Sequence, residues 1–373
     1  MQLTGYVRSD GRVGFRNHLA VIPLAGCAQE IARRIADNVE SAVMLPQPLG
    51  CDLDGADQER LGTILYQLAT HPNVGAAIFV TLGCAAANCH RIPARTSETG
   101  RPAKIINIQL IGGTTACVAA GVEAGQEMSK IIKQLKRVEL PLSSIVMATK
   151  CGASDKTSFE ICHPIVGECC DMLVDNGGTA VLSEDFELYP AVDELAARAV
   201  DELTAKRIHC MAERLKQNYE RRFGKSIEEN WPDKQKALKG SLGHAAKAGT
   251  KPISKVVRLG ELIHAKGLVI LDAPNSDLIA ITSMAAAGCN LIAFTTGRGT
   301  LLASPIVPTI KITANEKTFE RMNENIDVLV SDQNPASSSD LFEAILRYAN
   351  GEPTKAELTR HGDMFIPLEG VTF

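Results

Sequence analysis

Short apolar, β-branched runs alternate along this chain with longer stretches of helical periodicity. Residues 19–24, 73–81, 105–110, 145–148, 179–182, 267–271 and 290–294 each read as a buried strand. Between them, helices are predicted over 26–37, 60–71, 117–136, 163–176, 191–222 and 279–288. Strands and helices alternating at this spacing predict an α/β protein with doubly wound, mostly parallel sheets and helices on both faces. A polar stretch over 230–250 carries only a short helix. It divides the chain into two α/β subdomains, residues 1–228 and 229–373.

Several of the predicted strands end in glycine and cysteine. Pro48-Leu49-Gly50-Cys51-Asp52 follows one extended run and Leu82-Gly83-Cys84 another, while Lys150-Cys151-Gly152-Ala153-Ser154-Asp155 ends a third. The carboxyl ends of strands are where open α/β sheets bind ligands, so the three cysteines are expected to meet at one site. Cys27 stands at a similar exit.

Composition narrows the chemistry. The chain has 373 residues, 45% of them hydrophobic and 22% charged, as expected of a globular protein large enough for two cores. A net charge of -4 argues against nucleic acid or an anionic membrane as partner. No apolar run approaches the roughly 18 residues a membrane span requires. The first residues lack the basic-then-apolar layout of a signal peptide, so a cytoplasmic protein is expected. Eleven cysteines in that compartment favour metal binding or catalysis over disulfides. No C-x-x-C pair occurs, so any metal site is assembled from distant segments.

Thiolates at Cys51, Cys84 and Cys151 suit iron, an iron–sulfur cluster or zinc, and three of them with one open position would form a Lewis-acid site. The plainer reading is three small hydrophobes at crowded strand ends. A Cys–His nucleophile pair is a further alternative, although no sequence element specifies the pairing. Two segments read as anion clamps. One is the leader carrying Arg8, Arg12, Arg16 and Asn17; the other is the turn Thr295-Thr296-Gly297-Arg298-Gly299, with Lys311 just downstream. The turn lacks the Gly-Lys-Ser/Thr ending of a Walker loop.

The leader Gly5-Tyr6…Arg8-Ser9-Asp10-Gly11-Arg12-Val13-Gly14…Arg16-Asn17, the Leu82-Gly83-Cys84 turn, Gly112-Gly113-Thr114, the 150–155 motif, Gly177-Gly178-Thr179…Leu182-Ser183-Glu184 and Phe294-Thr295-Thr296-Gly297-Arg298-Gly299 together resemble the large domain of the altronate/galactarate dehydratase family. The resemblance covers nearly the whole chain. Its layout is closest to the sulfolactate sulfo-lyase large subunit, which likewise begins at the large domain.

The resemblance implies an iron-dependent lyase that eliminates water or sulfite from a small hydroxy acid, using Fe2+ or, alternatively, an iron–sulfur cluster. It also implies an oligomer with a separate small subunit of roughly 100 residues, about one small domain. On that reading Cys51, Cys84 and Cys151 hold iron. Arg8, Arg12, Arg16, Asn17, Ser154, Thr296, Arg298 and Lys311 bind the substrate, and Lys150, Asp155, Glu184 and His90 are the candidates for proton transfer. The chain departs from the family pattern at residues 157–164 and 230–234. A non-catalytic ligand-binding relative is therefore the alternative reading.

Overall fold

The computed structural model describes residues 2–50, 52–84 and 89–368. An N-terminal arm forms β1 (Leu3–Val7) and β2 (Val13–Gly14), paired antiparallel. Next come β3 (His18–Pro23), β4 (Ala42–Met44), β5 (Val74–Thr81) and β6 (Ala103–Asn107), forming a parallel sheet in the order β4-β3-β5-β6. The short β7 (Val138–Leu140) returns to pair with β1. The remaining strands are β8 (Val146–Gly152), β9 (Thr179–Leu182), β10 (Ile253–Arg258), β11 (Gly267–Asp272), β12 (Leu291–Thr296), β13 (Thr309–Thr313) and β14 (Val328–Leu329). They form a seven-stranded parallel sheet in the order β10-β11-β9-β8-β12-β13-β14. Doubly wound α/β architecture is thus what the chain adopts.

Near-continuous apolar runs mark strands covered on both faces, and β5 is buried along its whole length. Helices Gly55–Ala69 and Asp277–Ala286 lie between the two sheets. Leu61, Leu65, Ile281 and Met284 of these helices join Ile22 and Phe79 of the small sheet to Ala148 and Phe294 of the large one in a single core. The outer face of the small sheet is closed by helices Gln29–Asp37 and Thr114–Lys133. Helices His163–Asp175, Glu202–Phe223 and Ser337–Ala349 close that of the large sheet.

Two expectations shift. The sheets divide the chain between β6 and β8, not at 228/229, because β8 and β9 pair with β11 and β12 from the far side of that boundary. The strand expected at 145–148 runs on to Gly152, so Lys150 and Cys151 are its last inward-packed residues.

The amino ends of both sheets are tied together by side-chain amides. Asn73 Oδ1 accepts from Phe15 N at 2.7 Å, and its Nδ2 donates to Ile306 O at 2.9 Å. Asn290 Nδ2 donates to Val13 O at 3.0 Å and to Ser144 O at 2.9 Å. His71 Nε2 lies 3.0 Å from Cys289 O, and its Nδ1 accepts from Asn73 N at 3.0 Å. A carbonyl only accepts, so Nε2 carries the proton and the ring is neutral. Burial holds the pKa of His71 down at about 3.

A histidine depressed in the folded state contributes stability above its unfolded pKa of about 6.5, and that contribution is lost as pH falls toward the folded value. Lowering the pH from 7 to 5 is expected to remove about 2 kcal/mol through His71. Urea midpoints at the two pH values check this. His71→Gln is expected to reduce the difference by its own share, leaving that of His18 and His163, which burial also holds down at about 4.

Candidate functional site

The carboxyl ends of β8, β9 and β12 converge on Cys151. After Gly152 the chain turns through Ala153, whose φ of 50° is unusual for a residue with a Cβ. The turn is held because Ala153 O accepts from Gly297 N at 3.3 Å and Arg298 N at 3.0 Å, joining the 150–155 motif to the 295–299 turn. Asp155 reinforces the junction. Its Oδ1 accepts from Thr157 Oγ1 at 2.7 Å and Ser158 N at 3.1 Å, and its Oδ2 from Asn315 Nδ2 at 2.8 Å. Burial would raise this carboxyl, but the hydrogen bonds from Thr157 and Asn315 outweigh it and keep Asp155 below the usual range.

At the end of β9, Glu184 adopts a left-handed φ of 83° and is buried. Such strain in a residue with a side chain persists where the surroundings enforce it. Here they do. Glu184 Oε1 accepts from Lys150 Nζ in a very short contact, and Oε2 lies 3.0 Å from both Lys247 Nζ and His244 Nε2. Cys151 N donates to the same Oε2 at 3.3 Å. Lys150 Nζ also reaches Cys151 O at 2.8 Å and Asp277 Oδ1 at 2.8 Å.

Desolvation opposes the ionised carboxylate, yet the charges of Lys247, Lys150 and His244 pull Glu184 well below its ordinary pKa. Burial likewise opposes the Lys150 cation, but Glu184 and Asp277 more than restore it and raise its pKa. Lys247 is shifted down by burial, with Glu184 only partly compensating.

Cys151 is 6% exposed and touches Ser154 Oγ at 2.5 Å and His163 Nε2 at 3.1 Å. Burial would push its thiol up, but the hydrogen bond to His244 and the charge of Lys247 hold it below the ordinary thiol range. A thiol held in that way is the donor chemistry a soft cation takes. Cys27 and Cys84 are exposed free thiols after β3 and β5 at the carboxyl edge of the small sheet. Gly26 N donates to Leu49 O at 2.8 Å, which brings the Cys27 turn beside residues 48–50. Cys51 itself lies outside the described residues. Among the described residues, no three His, Cys, Asp or Glu side chains already stand at metal-holding spacing.

The other expected residues divide clearly. Ser154 borders the thiol, and Arg298 is exposed, with a guanidinium that makes no ion pair or hydrogen bond among the described residues. Thr296 is buried and its Oγ1 accepts from Gly299 N at 3.0 Å, so it shapes the turn. Lys311 is buried with Nζ donating to Leu301 O at 2.9 Å, and burial lowers its pKa to about 8. His90 is exposed on a short turn after residues 85–88, which are outside the described set.

The leader residues sit elsewhere. Arg8 donates to Pro72 O at 2.6 Å and Asn17 Oδ1 at 2.9 Å, and Arg12 pairs with Asp10 at 2.7 Å. Arg16 pairs with Glu357 at 2.6 Å, and Asn17 Nδ2 donates to Ile132 O at 2.7 Å. Pro72 and Val13 mark the amino ends of the strands, so these side chains are spent on the join at the opposite end of the sheets from Cys151. The structure does not bring them to the site.

Sequence reading missed His163, His244 and Lys247. His163 lies inside the departing run 157–164, while His244 and Lys247 lie in the stretch read as a boundary loop. Their three-residue spacing, across the end of the Lys234–Ala245 helix and the turn that follows it, was the available signal.

Two changes test this geometry. A Cβ at Gly297 would stand 2.3 Å from Asp155 Cγ, so Gly297→Ala is expected to destabilise by about 1–3 kcal/mol, read by thermal or urea unfolding. Glu184→Gln leaves two buried lysines short of their shared counter-charge and is expected to destabilise by about 3–5 kcal/mol. Adding Lys247→Met to that variant is expected to recover part of the loss in urea unfolding.

The chain is similar to known proteins along most of its length. Residues 142–372 match the family description "D-galactarate/Altronate dehydratase, C-terminal", and residues 5–133 match "D-galactarate dehydratase/Altronate hydrolase, second domain". The chain is 32% identical to altronate dehydratase of Bacillus subtilis, over 87% of this chain and 67% of that protein. It is 30% identical to altronate dehydratase of Escherichia coli over 98% of this chain and 78% of that protein. It is also 31% identical to the (2R)-sulfolactate sulfo-lyase subunit beta of Chromohalobacter salexigens, over 97% of this chain and 96% of that subunit.

Proposed function

The chain belongs to the D-galactarate/altronate dehydratase family of lyases, and from that premise we propose that it eliminates water or sulfite from a small hydroxy acid. The observation that carries the reading is the pair of buried lysines around one carboxylate at the ends of the strands, whose 150–155 motif is bonded to the turn carrying an unengaged arginine, Arg298. Elimination breaks the bond from the α-carbon to hydrogen, and that electron pair becomes a double bond as the bond from the β-carbon to the leaving group breaks. The enol so formed collapses to a 2-keto acid. Negative charge builds on the substrate carboxylate as the proton leaves, and fixed cations in a dry site stabilise it.

Lys150 and Lys247 share Glu184, and Asp277 offsets the remaining charge from a half-exposed position. Those four charges balance one another, so the net positive charge offered to a substrate comes from Arg298. Arg298 offers a planar pair of donors to the carboxylate, and Ser154 adds a hydroxyl. Of the four proton-transfer candidates, Glu184 and Lys150 hold each other charged and Asp155 is engaged by three donors. That leaves His90 as the exposed group to carry a proton.

We propose iron as the cofactor, held by Cys51, Cys84 and Cys151. When bound it would supply Lewis-acid help to the departing group. The beta-subunit name of the sulfo-lyase relative supports a separate small subunit as partner.

The test is an anaerobic elimination assay over aldonic and aldaric acids and sulfolactate, with and without a small subunit, reading keto-acid release. Arg298→Ala is expected to raise KM about 10–100-fold, the loss of a charge-assisted hydrogen bond of about 1.5–3 kcal/mol. Folded, iron-loaded protein that turns over none of these acids would sink the reading.

A further inference from the structure

We propose that His163 is a ligand, with Cys151, of the metal in the cysteine site; the inference rests on the iron reading above and adds a nitrogen donor to it. The imidazole is oriented for that task. Its Nδ1 lies 2.9 Å from Gly243 O, a group that only accepts, so Nδ1 carries the proton and Nε2 presents a lone pair. That lone pair faces Cys151 Sγ at 3.1 Å. Thr295 Oγ1 is also 3.1 Å away, but it has Lys150 O as an acceptor at 3.1 Å. A ring nitrogen donating to a backbone carbonyl while the other faces a thiol is the outer-shell arrangement that fixes the tautomer of metal-bound histidines.

The neighbouring donors are already spent. His244 also borders the thiol, but its Nε2 faces Glu184 Oε2 at 3.0 Å, an acceptor that the ring N–H would satisfy. Both oxygens of Glu184 are taken by lysines. His163 is fully buried at the start of the His163–Asp175 helix, and Phe159 meets its ring edge-on with centroids 5.1 Å apart. The nitrogen is therefore held at the thiol by rigid surroundings. A mixed thiolate and imidazole set suits iron and separates this site from one built of sulfur alone.

The test uses the full chain, prepared metal-free under anaerobic conditions and titrated with Co2+, whose thiolate charge-transfer and d–d bands report the ligand set. Wild type is expected to bind with both features, and Cys151→Ala to lose charge-transfer intensity. His163→Asn, which keeps an amide donor for Gly243 O, is expected to bind about 10–100-fold more weakly with shifted d–d bands. X-ray absorption of Co2+-loaded wild type, which needs no variant to fold, is expected to show imidazole outer-shell scattering. Wild type that takes up neither Co2+ nor Fe2+ overturns the cysteine-metal reading and this inference with it. Wild type that binds metal without imidazole scattering, or a folded His163→Asn with unchanged affinity and spectrum, overturns the role of His163 alone.

Discussion

A single buried carboxylate organises the candidate site. Glu184 is ionised in a place where desolvation alone would neutralise it, and it remains so because two lysines and a histidine meet its oxygens. Each partner comes from a different part of the chain: Lys150 from β8, and His244 and Lys247 from the Lys234–Ala245 helix and the turn that follows it. The carboxylate thus cross-links the central strand, its neighbour and an inserted helical segment. Its left-handed backbone is tolerated because those contacts leave it no alternative.

The second constraint lies at the other end of the sheets. Asn73, Asn290 and His71 bond the amino ends of the small and large sheets to each other and to the N-terminal arm. Arginines that looked like an anion clamp in the sequence are spent on this seam, with Arg8 on Pro72 O and Arg16 on Glu357. A rigid join at the amino ends leaves the carboxyl ends, where Cys151 stands at the end of β8 and Cys84 follows β5, as the face available for a ligand. Structural and chemical duties are divided between the two ends of the same strands.

The position of Ala153 shows how local and long-range demands meet. Its left-handed turn directs the carbonyl toward Gly297 N and Arg298 N, and only glycine at 297 lets Asp155 approach so closely. The backbone of Arg298 is held against the 150–155 motif by that junction. The same logic holds for His163, which reaches the thiol because its other nitrogen is anchored on Gly243 O.

Periodicity by itself determined the class of fold, because parallel strands covered on both faces must be apolar runs and their crossover helices must fill the spaces between. It also marked Lys150, Cys151, Ser154 and Glu184, since glycine and polar residues at the end of such a run signal a strand exit. What it left open was which exits share a sheet edge. Strand order decided that, by placing β9 and β12 on either side of β8, and so chose Glu184 and the 295–299 turn as the neighbours of Cys151. His163, His244 and Lys247 stayed hidden because a polar residue on a helix looks the same whether it faces water or a buried carboxylate. Only the packing of the 246–248 turn against β9, and of that turn and the Lys234–Ala245 helix against the His163–Asp175 helix, settled which it was.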